Sequence, residues 1–225
     1  MSLENGTTEP FSVKDCSLVA IATGDKAQNL RELRDGVMKT HPGSVYYHFW
    51  AGRLRPAFAD PQFHNDFATW CHYALHDDVL AERLAVIDPT DYYTLDLLRQ
   101  EVVEIIEQRL EEVEHPRWVE LDQQFHFIRS QIVVFDTGRK IELPEELPEV
   151  VPRISVGSIF YHFVDARRRH PISVDDFRAW LGCPDEPHQE LCYLLASVDP
   201  YFVTLKELRE QLASIFEDYF KGRAL

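Results

Sequence analysis

No stretch of this chain approaches the roughly 18 consecutive apolar residues that a membrane-spanning helix needs, and the first ten residues lack the apolar core of a secretory signal. Both absences predict a cytoplasmic protein that makes no use of a membrane. Positive charge is scarce, with 23 Lys and Arg against 38 Asp and Glu and a formal net charge of −15. Such a surface repels phosphate backbones, so no nucleic-acid partner is expected. The four cysteines, Cys16, Cys71, Cys183 and Cys192, form no C-x-x-C pair and stand at no zinc-like spacing from histidine, and are expected as free, mostly buried thiols. Nor does the chain hold a Gly-rich phosphate loop, a G-x-S-x-G, an H-E-x-x-H or a calcium loop. These gaps weigh against a familiar enzyme, and no cofactor is implied.

What the chain does have is an internal repeat. Gly43-Ser44-Val45-Tyr46-Tyr47-His48-Phe49 recurs as Gly157-Ser158-Ile159-Phe160-Tyr161-His162-Phe163, 114 positions later. The same offset pairs Phe11 with Phe125, Val19 with Val133, Thr23-Gly24 with Thr137-Gly138, Leu33 with Leu147 and Arg53 with Arg167. At an offset of 110, Asp66-Phe67-x-x-Trp70 meets Asp176-Phe177-x-x-Trp180, and Thr94-Leu95 meets Thr204-Leu205. Between them, Asp88-Pro89 meets Asp199-Pro200 at 111. The offset changes only at turn or loop residues, as insertions in a folded repeat do.

One module therefore outlines both. Residues 17–23 and 131–137 are short, β-branched and closed by Thr-Gly, which predicts one short strand per copy. Asn29 is placed to cap a helix carrying Leu30, Leu33 and Val37. Pro144, Pro148 and Pro152 break the matching helix of the second copy. The Tyr-His-Phe segment reads as a second helix. The Asp-Phe-x-x-Trp element reads as a third, started by Asp60-Pro61 or Asn65 in one copy and by Ser173 with Asp176 in the other. The longest helix follows Asp-Pro in each copy, with core faces running from Leu95 to Leu110 and from Leu205 to Tyr219.

The predicted fold is mostly α, with α+β character. A disordered tail occupies 1–10, one module 11–110, a charged linker 111–124 and the second module 125–220. One strand makes no sheet, so the two strands are expected to pair across a pseudo-twofold axis and fuse the copies into one unit.

The run Thr23-Gly24-Asp25-Lys26-Ala27-Gln28-Asn29-Leu30-x-x-Leu33, followed by Gly43-Ser44-Val45-Tyr46-Tyr47-His48, resembles an uncharacterised bacterial family known only as a domain of unknown function. The Asp66-Phe67-x-x-Trp70 and Asp88-Pro89 elements fit the same pattern, so the resemblance covers nearly the whole chain. It implies a shared fold unit and no particular chemistry.

Three groups of residues invite a functional reading. Tyr47 and His48 with Tyr161 and His162 would bring imidazoles and phenols together under a twofold arrangement, with Asp66 and Asp176 orienting the rings. Aromatic neighbours favour instead a core histidine satisfied by one hydrogen bond, which would look the same in sequence. His72 and His76 stand at i, i+4 and would share a helix face as metal ligands, or be an exposed pair. Arg167-Arg168-Arg169-His170, with Arg53-Leu54-Arg55 as its counterpart, offers Arg53 and Arg167 to an anion or to the protein's own carboxylates. The expected function is a non-enzymatic binding or scaffold protein whose partner is a protein or a small effector. The rival is an enzyme or metal-binding protein built on a pseudo-symmetric His/Asp/Tyr site. No feature of the sequence sets the oligomeric state.

Overall fold

A computed structural model describes residues 9–54, 62–115, 117–169, 173–182 and 187–222. The predicted tail falls almost wholly outside them. Both apolar runs grow into strands of 17 residues, β1 (Phe11–Ala27) and β2 (Phe125–Ile141). They pair antiparallel as a two-stranded sheet. The short strands expected at 17–23 and 131–137 are thus corrected. Phe11, Val13 and Ala27 of β1, and Phe125, Phe127 and Ile141 of β2, are buried near the strand ends, while Val19, Val134 and Phe135 in between are exposed. Anchored ends carry the ladder through Lys14, Asp15, Asp25 and Lys26, because a ribbon open to water tolerates charged side chains that look like loop residues in sequence.

The Thr-Gly pairs lie inside the strands rather than closing them. The Thr23 hydroxyl donates to the Phe127 carbonyl at 2.7 Å, and the Thr137 hydroxyl donates to the Val13 carbonyl. Gly24 and Gly138 follow with φ of +87° and +70°, a left-handed backbone that glycine adopts without strain.

After β1 the helices come in the order read from the sequence. Asn29 caps α1 (Leu30–Lys39) by accepting from the Glu32 amide at 3.0 Å, and the Glu32 carboxylate accepts from the Gln28 amide at 2.8 Å. Every residue from 44 to 51 of α2 (Pro42–Leu54) is buried, so this helix is core on all sides rather than amphipathic. Asn65 caps α3 (Asp66–Tyr73); α4 spans Asp78–Ala85. Thr94 caps α5 (Leu95–Glu112), which buries Leu98, Val102 and Ile106.

Beyond β2 the prolines act as predicted. Instead of a counterpart to α1 there is one turn, α6 (Leu147–Val150), between 3₁₀ turns at Pro144–Glu146 and Val151–Arg153. The predicted Tyr-His-Phe helix is irregular in this copy: α7 (Val156–Ile159) widens into a π turn over Phe160–Val164 and then tightens into a 3₁₀ turn over Asp165–Arg168. Asp175, not Ser173, caps α8 (Asp176–Trp180) by accepting from the Arg178 amide, because the cap must stand one residue before the helix, where Asn65 stands before α3. The chain continues through α9 (Gln189–Ala196) to α10 (Leu205–Lys221), which opens on a Thr204/Glu207 capping box and buries Leu205, Leu208, Leu212, Phe216 and Tyr219.

The chain divides into two compact units, Leu18–Val133 in one and Met1–Ser17 with Val134–Leu225 in the other. The division runs through the middle of both strands. Helices α1 to α5 are therefore completed by the first half of β2, and the later helices by the first half of β1. Within the first unit the Trp70 indole N–H donates to the Gln123 carbonyl at 2.7 Å. Within the second, the Trp180 indole N–H donates to the Glu9 carbonyl at 2.8 Å. Each acceptor stands two residues before its strand.

Cysteine usage also differs from expectation. Cys16 and Cys71 are free and buried. Cys192 is disulfide-bonded, its partner lying outside the described residues. A lone spacing such as Cys183 to Cys192 gives no sign of whether its sulfurs meet, since that depends on how the backbone brings the two Cβ atoms together.

Candidate functional site

His48 is 4% exposed and sits midway along α2. Its Nδ1 lies 2.9 Å from Oδ2 of Asp66, the first residue of α3. Its Nε2 lies 3.2 Å from the backbone nitrogen of Ile128 on β2. A backbone N–H is only ever a donor, so Nε2 accepts, and the ring proton belongs on Nδ1, where it is donated to the carboxylate. The ring packs against Phe125, with centroids 4.6 Å apart, and Phe67, at 5.2 Å.

His162, 2% exposed, repeats this in the other unit. Its Nδ1 is 2.7 Å from Asp176 Oδ2, and its Nε2 accepts from the Lys14 amide at 2.8 Å. Phe11 lies against it at 4.7 Å. Ile128 and Lys14 are each the third residue after the first phenylalanine of their strand. Each imidazole is thus a clasp joining a core helix, the start of the next helix and a strand supplied by the far half of the chain.

Tyr161 and Asp176 meet a third residue, Arg169. Its guanidinium lies 4.1 Å from the centre of the Tyr161 ring, donates to the Tyr161 carbonyl at 2.8 Å and pairs with Asp176 Oδ2 at 2.8 Å. Asp165 stands 3.4 Å from its Nε. Arg167, the residue favoured by the sequence, does other work. It stacks over Phe163 at 4.3 Å, donates to the Leu195 carbonyl at 3.2 Å and stands 3.7 Å from the fully buried Asp175. In the first unit one residue serves both purposes: Asn65 caps α3 with its oxygen, and its amide donates to the Leu84 carbonyl at 2.9 Å. Asp175, bonded by Arg178 Nε at 2.6 Å with Arg167 further off at 3.7 Å, puts a charged group where the first unit has that neutral amide. Arg53 is half-buried in the last turn of α2. Arg55 and His170 lie outside the described residues.

In the unit of residues 18–133 a cleft of about 440 Å³ opens beside Asp66. Tyr47, Trp70 and Tyr73 form its aromatic lining, and Gln123 and His126 add polar groups. The Asp66 side chain is 34% exposed, so its carboxylate both holds His48 and faces solvent. A second cleft of about 480 Å³ lies near Asp77 and Arg109. There the two charges are spent on each other, with Arg109 Nε 3.0 Å from Asp77. The expected His72/His76 pair does not form, because α3 ends at Tyr73 and His76 has turned to φ 53° while His72 bonds Asp78 at 2.7 Å. Among the described residues no group of three or more His, Cys, Asp or Glu is placed to hold a metal ion. No described helix is long and apolar enough to cross a membrane. Burial, with Asp165 and Asp15 nearby, pushes the Cys16 thiol up to about 12, and burial raises Cys71 likewise. Neither is a thiolate nucleophile near neutrality.

A family model described as a family of unknown function, DUF5752, matches residues 8–217. The chain belongs to this family. No curated protein matches it. A solved structure described as the structure of OrfY from Thermoproteus tenax is similar over 96% of this chain and 98% of that one, with a TM-score of 0.80 at 26% identity.

Of the site residues read from the sequence of this DUF5752 member, the structure brings His48 to Asp66 beside Tyr47, and His162 to Asp176 beside Tyr161. Sequence reasoning named Arg169 only as part of the arginine cluster, with Arg167 put forward in its place, and missed Tyr73, Gln123 and His126. For His126 a signal existed: buried Phe125 and Phe127 flank it on a strand, so alternation turns it outward.

Proposed function

We propose that the chain is a non-enzymatic binding or scaffold protein, made of two copies of one module, that recognises a protein partner or a small effector. One observation carries this reading. Both nitrogens of each buried imidazole are already engaged, Nδ1 by a carboxylate and Nε2 by a strand amide. An imidazole so placed has no lone pair left for a metal and no free nitrogen to relay a proton. The repeated clasp, the Thr hydroxyl bonds and the Trp indole bonds support the duplication, since each has its counterpart at the matching position. The net charge of −15 supports a partner other than nucleic acid.

The test is the His48→Phe, His162→Phe double variant, compared with wild type by urea unfolding and by thermal-shift screens of divalent metals and small anions. Each replacement strands a strand amide and a carboxylate, so a loss of about 1–3 kcal/mol per site is expected, with no ligand response lost. A double variant of unchanged stability that no longer responds to a metal or anion recognised by wild type would overturn the proposal in favour of the enzyme or metal-binding reading.

A further inference from the structure

We infer that the ridge formed by residues 117–122, with the cleft beside Trp118, docks a basic amphipathic segment of a partner protein. The inference rests on the binding reading above and gives that partner a surface and a chemistry. Trp118 is 68% exposed and Leu121 78%. The backbone beneath them is held. Val119 is buried, and its amide donates to the Gln28 carbonyl at 2.8 Å. The Gln123 amide donates to the Glu120 carbonyl at 3.0 Å and closes a turn, while the Gln123 carbonyl accepts from the Trp70 indole. Upstream, Arg117 donates to the His76 carbonyl at 3.2 Å. A backbone pinned on both sides presents two large apolar side chains already ordered, so a partner meets them without the entropic cost of fixing the segment. Tryptophan is also among the residues that contribute most when an interface buries them.

Packing within the chain does not call for this pair. Counting back from the two indole acceptors, Gln123 and Glu9, the stretch before β1 has Glu4 and Thr7 in sequence where the stretch before β2 has Trp118 and Leu121. Large apolar side chains left in water in one stretch and not in the other point to a contact outside the chain. The surrounding charge selects the partner. Residues 111–122 carry Glu111, Glu112, Glu114, Glu120 and Asp122 against Arg117. Arg83 and Arg109 hold Glu112 at 2.8 and 2.9 Å. Among the described residues no cation pairs with Glu114, Glu120 or Asp122. Beside Trp118 a cleft of about 450 Å³ reaches the first turn of α1, with Arg31, Glu32, Glu114 and His115 in its lining. A segment with an aliphatic or aromatic anchor among lysines or arginines meets both features: the anchor packs on Trp118, and the cations meet the carboxylates. A second copy would instead set this acidic stretch against another molecule of net charge −15.

The experiment uses the full chain and a short helical peptide of leucine and lysine with its leucines on one face. Beside it stand two twins, one with glutamate for lysine and one with alanine for leucine. Affinity is measured by calorimetry and located by NMR shifts, in wild type, in the Trp118→Ala, Leu121→Ala double variant, in the Glu120→Lys, Asp122→Lys double variant and in Tyr93→Ala. All five side chains are exposed, so the fold is retained, and Tyr93 precedes α5 whereas the ridge follows it. Saturable binding of the leucine–lysine peptide is expected, with shifts at the Trp118 indole and the Val119 amide. Either double variant, or either twin, should weaken it by about tenfold or more, while Tyr93→Ala binds as wild type does. The inference is overturned if the peptide does not bind, if either double variant or the glutamate twin binds unchanged, or if Tyr93→Ala loses as much. A dimer of the protein alone that the Trp118→Ala, Leu121→Ala variant dissociates would also overturn it, in favour of a second copy on the ridge. None of these results alters the metal and anion screens of the histidine variants, so failure here is separable from failure of the binding reading.

Discussion

At the scale of single residues, the histidines show how one hydrogen bond from the backbone decides what a ring can do. Were Nε2 of His48 open to the cleft, the His–Asp couple would resemble a general-base arrangement. Because the Ile128 amide points at it, the same couple is a structural clasp. The tryptophans separate in a similar way. Trp70 is 8% exposed and packs edge-to-face against Phe125, whereas Trp180 is half-buried beside Phe11. Trp70→Ala is expected to cost about 3–5 kcal/mol, and Trp180→Ala distinctly less, since a half-exposed indole leaves a smaller cavity. Urea midpoints at constant slope measure the difference; equal costs would show that Trp180 is as deeply packed as its counterpart.

At the scale of elements, α7 and β1 approach each other closely at Gly157. A Cβ on Gly157 would stand 2.2 Å from an Asp15 carboxylate oxygen and 2.7 Å from the Cys16 carbonyl oxygen, the latter a backbone atom that cannot swing away. On Gly43, the repeat-equivalent position, it would meet Ser130 O at 3.2 Å and His41 Nδ1 at 3.1 Å. Gly157→Ala should therefore destabilise by about 1–3 kcal/mol, as overpacking does, with a smaller effect for Gly43→Ala. Thermal unfolding of the two variants side by side checks the order. The π turn over Phe160–Val164 follows directly from α7, whereas α2 runs through the same motif as regular helix.

For the whole molecule, the ribbon governs how each set of helices is completed. Helices α1 to α5 complete their core with Phe125 and Phe127, which belong to the second half of the chain. The later helices draw on Phe11 and Val13 from the first half. A chain ending at Gln108 would keep the helices of one unit and lose the strand residues that cover His48 and Phe67, leaving buried aromatic surface open to water. It should fail to persist as a folded monomer and should self-associate or aggregate. Sedimentation with urea unfolding tests this; a monodisperse monomer with a cooperative transition would show that the first half needs nothing from the second.

How much of this was legible depends on the range of the interactions concerned. Local chemistry was readable: Asn29 as a cap, the proline-broken helix after β2, Thr94 and Thr204 as starts of the longest helices, and the stripes of α5 and α10. So was the pairing of His48 with Asp66 and His162 with Asp176, because each motif recurs as a set. Sequence periodicity reports only a residue's neighbours along its own element, so it left the full strand length, the role of Nε2 and the exchange of strand halves unread. Arg167 and Arg169 are two positions apart and chemically identical in sequence. Tertiary structure alone sent one to the Leu195 carbonyl and the other to Tyr161 and Asp176, because the 3₁₀ turn after the π turn aims successive side chains at different walls. The sequence by itself determined which residues would be buried or capping; which backbone amide met which imidazole was decided only when the strands crossed to the far helices, since that bond joins groups 80 and 148 positions apart.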